Sequence, residues 1–222
     1  MSFSQKKTLL PLVVVLVLIA AMAMGACSHH AATNKTSKHP KKVQMDGTFS
    51  INRDHPEETV GDADYVFLAR VEEKTGTAYK NTTQIETEEG TKEISTPYTN
   101  YKITVLENIK GELETDKPIP VQKAGGISED GSSIVTFDDD VLPEVGQSYV
   151  FLAYAQDDGS LLVSGPNSNT EVSGNDDTDT SDTIESSSVN HSSVMKAHKN
   201  ALKHQVKSDR KRSISKYDKT KD

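Results

Sequence analysis

The sequence predicts an all-β domain, a sandwich or small barrel of about six strands, set between polar tails that read as disordered. Three observations carry this. Between residues 46 and 169 the apolar residues come in short runs with few helical periods. Turn signals separate those runs at roughly 8 to 12 residues, the rhythm of strands. Only 34% of the 222 residues are hydrophobic, against about 45 to 50% in an ordinary globular chain, so the folded part is smaller than the chain.

The elements follow in order. Residues 56–60 (PEETV) predict one short helix, with proline at its start and acids in its first turn. Residues 64–71 (DYVFLARV) are β-branched and aromatic, with Tyr65, Phe67, Ala69 and Val71 on one face. Residues 98–109 (YTNYKITVLENI) alternate through Tyr101, Ile103 and Val105 and stop at Lys110-Gly111. Residues 118–123 (PIPVQK) run into Gly125-Gly126, and residues 132–137 form another short strand. Residues 147–155 (QSYVFLAYA) are apolar on both faces, which makes this strand central. Asp157-Asp158-Gly159 is a hairpin turn leading to a last strand at 160–164.

Charge marks the boundaries. Residues 46–170 hold 24 acidic against 9 basic side chains, a net of −15. Residues 171–190 hold 6 acidic and no basic residues, and have too little apolar area to offset a backbone ordering cost of about 1 to 2 kcal/mol per residue. Residues 191–222 hold 10 basic against 3 acidic, a net of +7. The expected organisation is therefore a signal peptide at 1–26, a polar spacer at 27–45, the β domain at 46–170, an acidic linker at 171–190 and a basic tail, helical in part, at 191–222.

The N-terminal segment sets the expected address. Lys6 and Lys7 precede an apolar run broken only by Pro11, and MAMGACSHH then carries the only cysteine, Cys27, into polar sequence. This resembles a bacterial lipoprotein signal, in which small residues precede a cysteine that is lipidated and becomes the first residue of the mature chain. Gly25 and Ala26 match that pattern, while Met24 stands where leucine is usual. Cleavage after Ala21-Met22-Ala23 and an uncleaved anchor are the competing readings. A single cysteine excludes an intrachain disulfide. Lipidation of Cys27 would hold the protein to the membrane far more firmly than the marginal grip of one acyl chain.

Four stretches, "ADYVFLARV", "TNYKITVLENIKG", "IPVQKAGG" and "LPEVGQSYVFL", together look like secreted proteins and lipoproteins of Bacillus and related Gram-positive bacteria. The resemblance covers residues 59–167. It implies a small OB-like barrel, similar to the inhibitor-like netrin domain, on the outer face of a single-membrane cell. Its motifs are structural ones.

The search for chemistry is mostly negative. Gly126-Ile127-Ser128 continues into Glu129-Asp130 and fails the nucleophile elbow. The β domain holds one histidine, His55, read as a solvated loop residue. The other histidines sit in the tails without a second cysteine, so zinc spacing is missing. The acidic run 176–182 lacks the glycine and the terminal glutamate of a calcium loop. Gly125-Gly126 has no following lysine or helix at phosphate-loop spacing and reads as a bulge. No cofactor is expected.

Two clusters stay open. Asp138, Asp139 and Asp140 lie between two predicted strands, where neighbouring carboxylates could recruit a cation or simply be solvated. In the tail, Lys196, Lys199, Lys203, Lys207, Arg210, Lys211 and Arg212 surround a thin apolar stripe of Val194, His198, Ala201, Leu202 and Val206. Such a segment suits anionic wall polymer or lipid headgroups, while an exported address argues against nucleic acid. The alternatives are a solvated tail, or association of the +7 tail with the −15 domain. The protein partner is left open.

These readings converge on a surface lipoprotein whose β domain binds or interacts without catalysis. A secreted hydrolase built on Asp138 to Asp140 with His55 is the alternative from another class, and an inhibitor of extracellular proteases follows from fold analogy alone.

Overall fold

A computed structural model of the chain describes residues 39–88, 90–172 and 193–220. The expected signal peptide, the first part of the spacer and most of the acidic linker lie outside these residues. The elements in chain order are β1 Lys41–Met45, α1 Pro56–Asp62, β2 Tyr65–Thr87, β3 Gly90–Lys110, β4 Ile119–Ala124, β5 Gly126–Ile127, β6 Ser133–Phe137, β7 Ser148–Ala155, β8 Leu161–Val163, β9 Asn169–Glu171 and α2 Ser193–Lys203. The fold is all-β with two short helices.

The larger sheet runs β2-β3-β4-β8-β7-β9, and β7 also pairs with β2, so β2, β3, β4, β8 and β7 close on themselves as a small OB-like barrel. All contacts around the ring are antiparallel except β4 with β8, which is parallel through Gln122↔Leu162 and Lys123↔Val163. This seam and the β7–β8 pairing, with two register pairs each, are the shortest in the ring. A second sheet, β1-β6-β5, lies beside the barrel. Its first strand begins at Lys41, inside the stretch expected to be spacer.

Alternation explains the core. Phe67, Ala69, Val71, Tyr101, Ile103, Val105, Ile119, Val121, Phe151, Ala153, Leu161 and Val163 are buried in one cluster inside the barrel. β2 and β7 have a second apolar face, and Val66, Leu68, Val150 and Leu152 on it pack against Val60 of α1, Ala63 at its end, and Met195 and Ala201 of α2. Residues 148–155 are thus apolar on both faces because one face lines the barrel and helices cover the other.

The hairpin of β2 and β3 is far longer than the two strands expected at 64–71 and 98–109. Past Lys80 its strands pair only with each other, projecting about 20 Å at roughly 3.3 Å per residue. Ile85 and Ile94 are the large apolar residues exposed on this arm.

The basic tail is folded onto the barrel, the third of the alternatives left open above. After α2 the chain runs as a strap to Thr220. The Val206 amide donates to the Glu57 carbonyl at 3.0 Å. The Ser215 amide donates to the Tyr65 hydroxyl at 2.9 Å, and that hydroxyl donates to Asp218 at 2.7 Å. The Glu114 amide donates to the Tyr217 carbonyl and the Lys219 amide to the Glu112 carbonyl, closing the far end.

The strap also supplies what the C-terminus of α1 lacks. A helix ends with carbonyls that have no partner within it, and the last turn of α1 holds no basic residue. Lys110 Nζ donates to the carbonyls of Val60 (2.7 Å) and Gly61 (3.2 Å). Arg210 donates to the Asp62 carbonyl at 2.8 Å, and Arg212 to those of Gly61 (2.6 Å), Asp62 (3.0 Å) and Ala63 (3.0 Å). The same arginines pair with the Asp64 carboxylate at 2.5 and 3.3 Å.

Such close approach requires glycine at position 61, because a Cβ there would lie 1.9 Å from the Val206 carbonyl oxygen. Gly61→Ala is expected to lift the strap and lower stability by about 1 to 3 kcal/mol, the usual cost of overpacking. Thermal unfolding gives the stability, and faster tryptic cleavage between residues 203 and 212 would locate the damage.

Candidate binding face and the sequence-predicted clusters

The outward positions of β3 and β4 build a polar groove. In the barrel Tyr101 and Ile103 point inward, so Asn100 and Lys102 point outward. Asn100 is register partner to Gln122 of β4, and Gln122 Nε2 donates to Asn100 Oδ1 at 2.7 Å. Lys80 reaches across from β2 and donates to Gln122 Oε1 at 2.5 Å, its ammonium 4.9 Å from the Tyr98 ring centroid. The result is a line of amides fixed by one another, flanked by a ring and a cation.

The turn between β7 and β8 and the strap form the other wall. Asp158 accepts from the Ser160 hydroxyl at 2.6 Å and its amide at 2.9 Å. The hydroxyl first, then the amide, hold its carboxyl below the usual range. Gly159, at φ 76, makes the turn predicted at Asp157-Asp158-Gly159. Lys216 stands 5.4 Å from the Tyr217 ring centroid. Asp158, Ser160, Lys216 and Tyr217, with Thr75, Pro120 and the Lys80, Asn100 and Gln122 set, border an open cavity of about 400 Å³. It offers amides, hydroxyls, two lysines and an aromatic ring, a set suited to an extended polar ligand.

The structure separates the acidic trio Asp138, Asp139 and Asp140. Asp140 Oδ2 accepts from Lys123 Nζ at 2.5 Å, with 1% and 2% of the two side chains exposed. The same ammonium donates to Ser168 Oγ at 2.9 Å and to the Gly165 carbonyl at 3.3 Å. Burial pushes the Asp140 carboxyl up against the pull of Lys123, and burial pushes Lys123 down to about 8 against the pull of Asp140. The cation beside Asp140 is thus part of the chain.

The other two aspartates are engaged differently. Asp138 accepts from Gln44 Nε2 of β1 at 2.6 Å, and Asp139 sits at φ 56 in the turn. Asp138 and Asp139 border a separate cavity with Arg53, Phe49 and Phe137, whose lining does not include His55. His55 is instead exposed, its Nδ1 3.1 Å from Glu58. The structure does not bring His55 to the trio, as the hydrolase alternative requires. Among the described residues no three metal-ligating side chains converge.

The tail cations also divide. Arg210 and Arg212 are committed to the end of α1 and to Asp64, as described above, and Lys199 pairs with Glu107 at 2.7 Å. Lys196, Lys203, Lys207 and Lys211 are exposed. Cys27 lies outside the described residues, and none of the described helices is long and apolar enough to cross a membrane.

No protein-family model matches this chain, and no curated protein matches it. Reading the sequence missed Lys80, Gln122, Lys216 and Tyr217. The outward phase of Tyr98, Asn100 and Lys102 along β3 was legible, but no local signal brings residues 216–217 beside residue 80.

The buried pair gives a stability prediction. Asp140→Asn strands the Lys123 ammonium and is expected to cost about 3 to 5 kcal/mol, while Lys123→Met with Asp140→Leu costs much less. Urea unfolding of both variants measures the difference.

Proposed function

We propose that this chain is a cell-surface lipoprotein, held through Cys27 on the outer face of the membrane of a Gram-positive bacterium, whose barrel is a non-enzymatic binding module. The observation that carries the binding reading is the groove on β3 and β4. OB-type barrels take oligosaccharides and oligonucleotides on the face of their second and third strands, between the loops after the first and fourth. Here those strands are β3 and β4, and the flanking connections are the β2–β3 arm and the β7–β8 turn.

The lining narrows the ligand class. Gln122 and Asn100 present amides, Ser160 and Thr75 hydroxyls, and Tyr217 a ring, while Lys80 and Lys216 outweigh the one carboxylate in the lining, Asp158. This supports an extended, hydroxyl-rich polymer bearing anionic groups, such as those of the Gram-positive wall. Nucleic acid fits less well because it is not the polyanion met at an exported address.

Equilibrium binding of the purified chain to isolated anionic wall polymer tests the groove. Lys80→Ala and Tyr217→Ala should each weaken binding about five- to tenfold, the loss expected from one charge-assisted or stacking contact of about 1 kcal/mol or slightly more. Unchanged affinity in both variants would move the ligand elsewhere. Lipidation is tested separately by labelling cells with a fatty-acid analogue: the wild type should carry label and Cys27→Ala should carry none.

A further inference from the structure

The strap spends two of its arginines on the barrel and leaves other cations unspent. Lys203, Lys207 and Lys211 are exposed, and none of their ammonium groups has a hydrogen-bond or ion-pair partner among the described residues. Val206 and Ile214, in the same segment, are 59% and 60% exposed. They are the two most exposed of the large apolar side chains among the described residues, and both stand among these lysines in the chain.

Lys207 and Ile214 of this segment meet at one place. The Val206 carbonyl lies against Gly61, whose own carbonyl accepts from both Lys110 and Arg212. Beside them is a cavity of about 300 Å³ lined by Lys110, Lys207, Arg212 and Ile214. Two carboxylates also border it, and both are engaged: Asp64 with Arg210 and Arg212, Asp218 with the Tyr65 hydroxyl and the Thr220 amide. The Lys110 ammonium contacts only neutral carbonyls. Burial first, and then repulsion from Arg212, pushes Lys110 down to about 8 against the pull of Asp64. The cavity gathers positive charge that the chain does not fully neutralise.

We infer that this side of the strap is a docking surface for an anionic phospholipid bilayer, with one headgroup phosphate seated between Lys110, Lys207 and Arg212 while Val206 and Ile214 enter the interface. The inference rests on the membrane-surface reading above and assigns it a second, non-covalent contact. A bilayer fits better than a wall polymer because a hydrophilic polymer offers nothing to the exposed aliphatic side chains, whereas a bilayer interface takes cationic and apolar groups together. Free phosphate shares the chemistry of the cavity but cannot use the rim.

The full chain incubated with vesicles separates these cases. Phosphatidylcholine vesicles test anchoring by the N-terminal segment alone, and vesicles containing phosphatidylglycerol test docking. Hydrogen exchange at residues 204–216 should be slower on the phosphatidylglycerol vesicles, and the protection should fade with added salt. Lys207→Gln and Lys211→Gln should each weaken the preference about fivefold, and together about 25-fold, because each basic residue near an anionic surface contributes about 1 kcal/mol.

Equal exchange on the two vesicle types, with the chain sedimenting with both, would overturn the docking surface while leaving the anchor intact. A chain that sediments only with phosphatidylglycerol vesicles, in a manner dependent on Lys207, would uphold docking and remove the anchor. Sedimentation with neither removes both. Protection by inorganic phosphate that equals or exceeds that by phosphatidylglycerol vesicles would assign the cavity to a free anion and overturn the bilayer.

Discussion

The carbonyls at the end of α1 impose the constraint on which the rest of the structure depends. Those of Val60, Gly61, Asp62 and Ala63 are directed into a region that the strap covers, and buried carbonyls without partners are costly. The helix has no cation of its own in its last turn, so it takes one from the end of β3 and two from a segment about 150 residues further along. Cations there also suit the negative end of the helix dipole. Once Arg210 and Arg212 are fixed, the chain on either side of them is fixed as well. α2 then covers the outer faces of β2 and β7, and the stretch from Ser215 to Lys219 closes the far end of the barrel.

The same constraint explains which parts of the fold were legible. Strands that bury one face declared themselves by alternation, and residues 147–155 declared a two-faced central strand without revealing its cover. That cover, Met195 and Ala201, sits in a segment whose composition is dominated by lysine, so hydrophobic content alone gives it little weight. The distal hairpin was invisible for the opposite reason. Residues 81–88 and 90–95 bury neither face, and their pairing relies on cross-strand contacts such as Thr82 with Ser95 and Gln84 with Glu93. Hydrophobic periodicity cannot report a strand with nothing to bury.

The site clusters show a related limit. Asp138, Asp139 and Asp140 are adjacent in sequence, and adjacency suggested a shared ligand. The turn after β6 instead sends Asp140 inward to Lys123 and leaves Asp138 to Gln44. The signal that could have found this pair was the phase of β4: Lys123 follows Ile119 and Val121 at two-residue spacing and so belongs to the inward set. A lysine in phase with core residues needs a buried counter-charge, and Asp140 is the carboxylate that the fold supplies.

Charge segregation finally limits how any anionic ligand can approach. The barrel sequence carries a net of −15 and the tail a net of +7, and folding the tail onto the barrel neutralises part of each. Screening confines the influence of exposed charges to about 8 to 10 Å at physiological ionic strength. An anionic polymer or surface is therefore repelled over most of the barrel and is met only where cations are locally in excess. Lys80 and Lys216 flank the groove, and Lys203, Lys207 and Lys211 stand along the strap. Tyr217 borders the groove and Ile214 the strap cavity, only three residues apart, so the two cationic places are neighbours in sequence on one clamped segment. Loosening that segment from α1 would disturb both at once, so the proposed binding, like the fold, depends on the capping of a seven-residue helix.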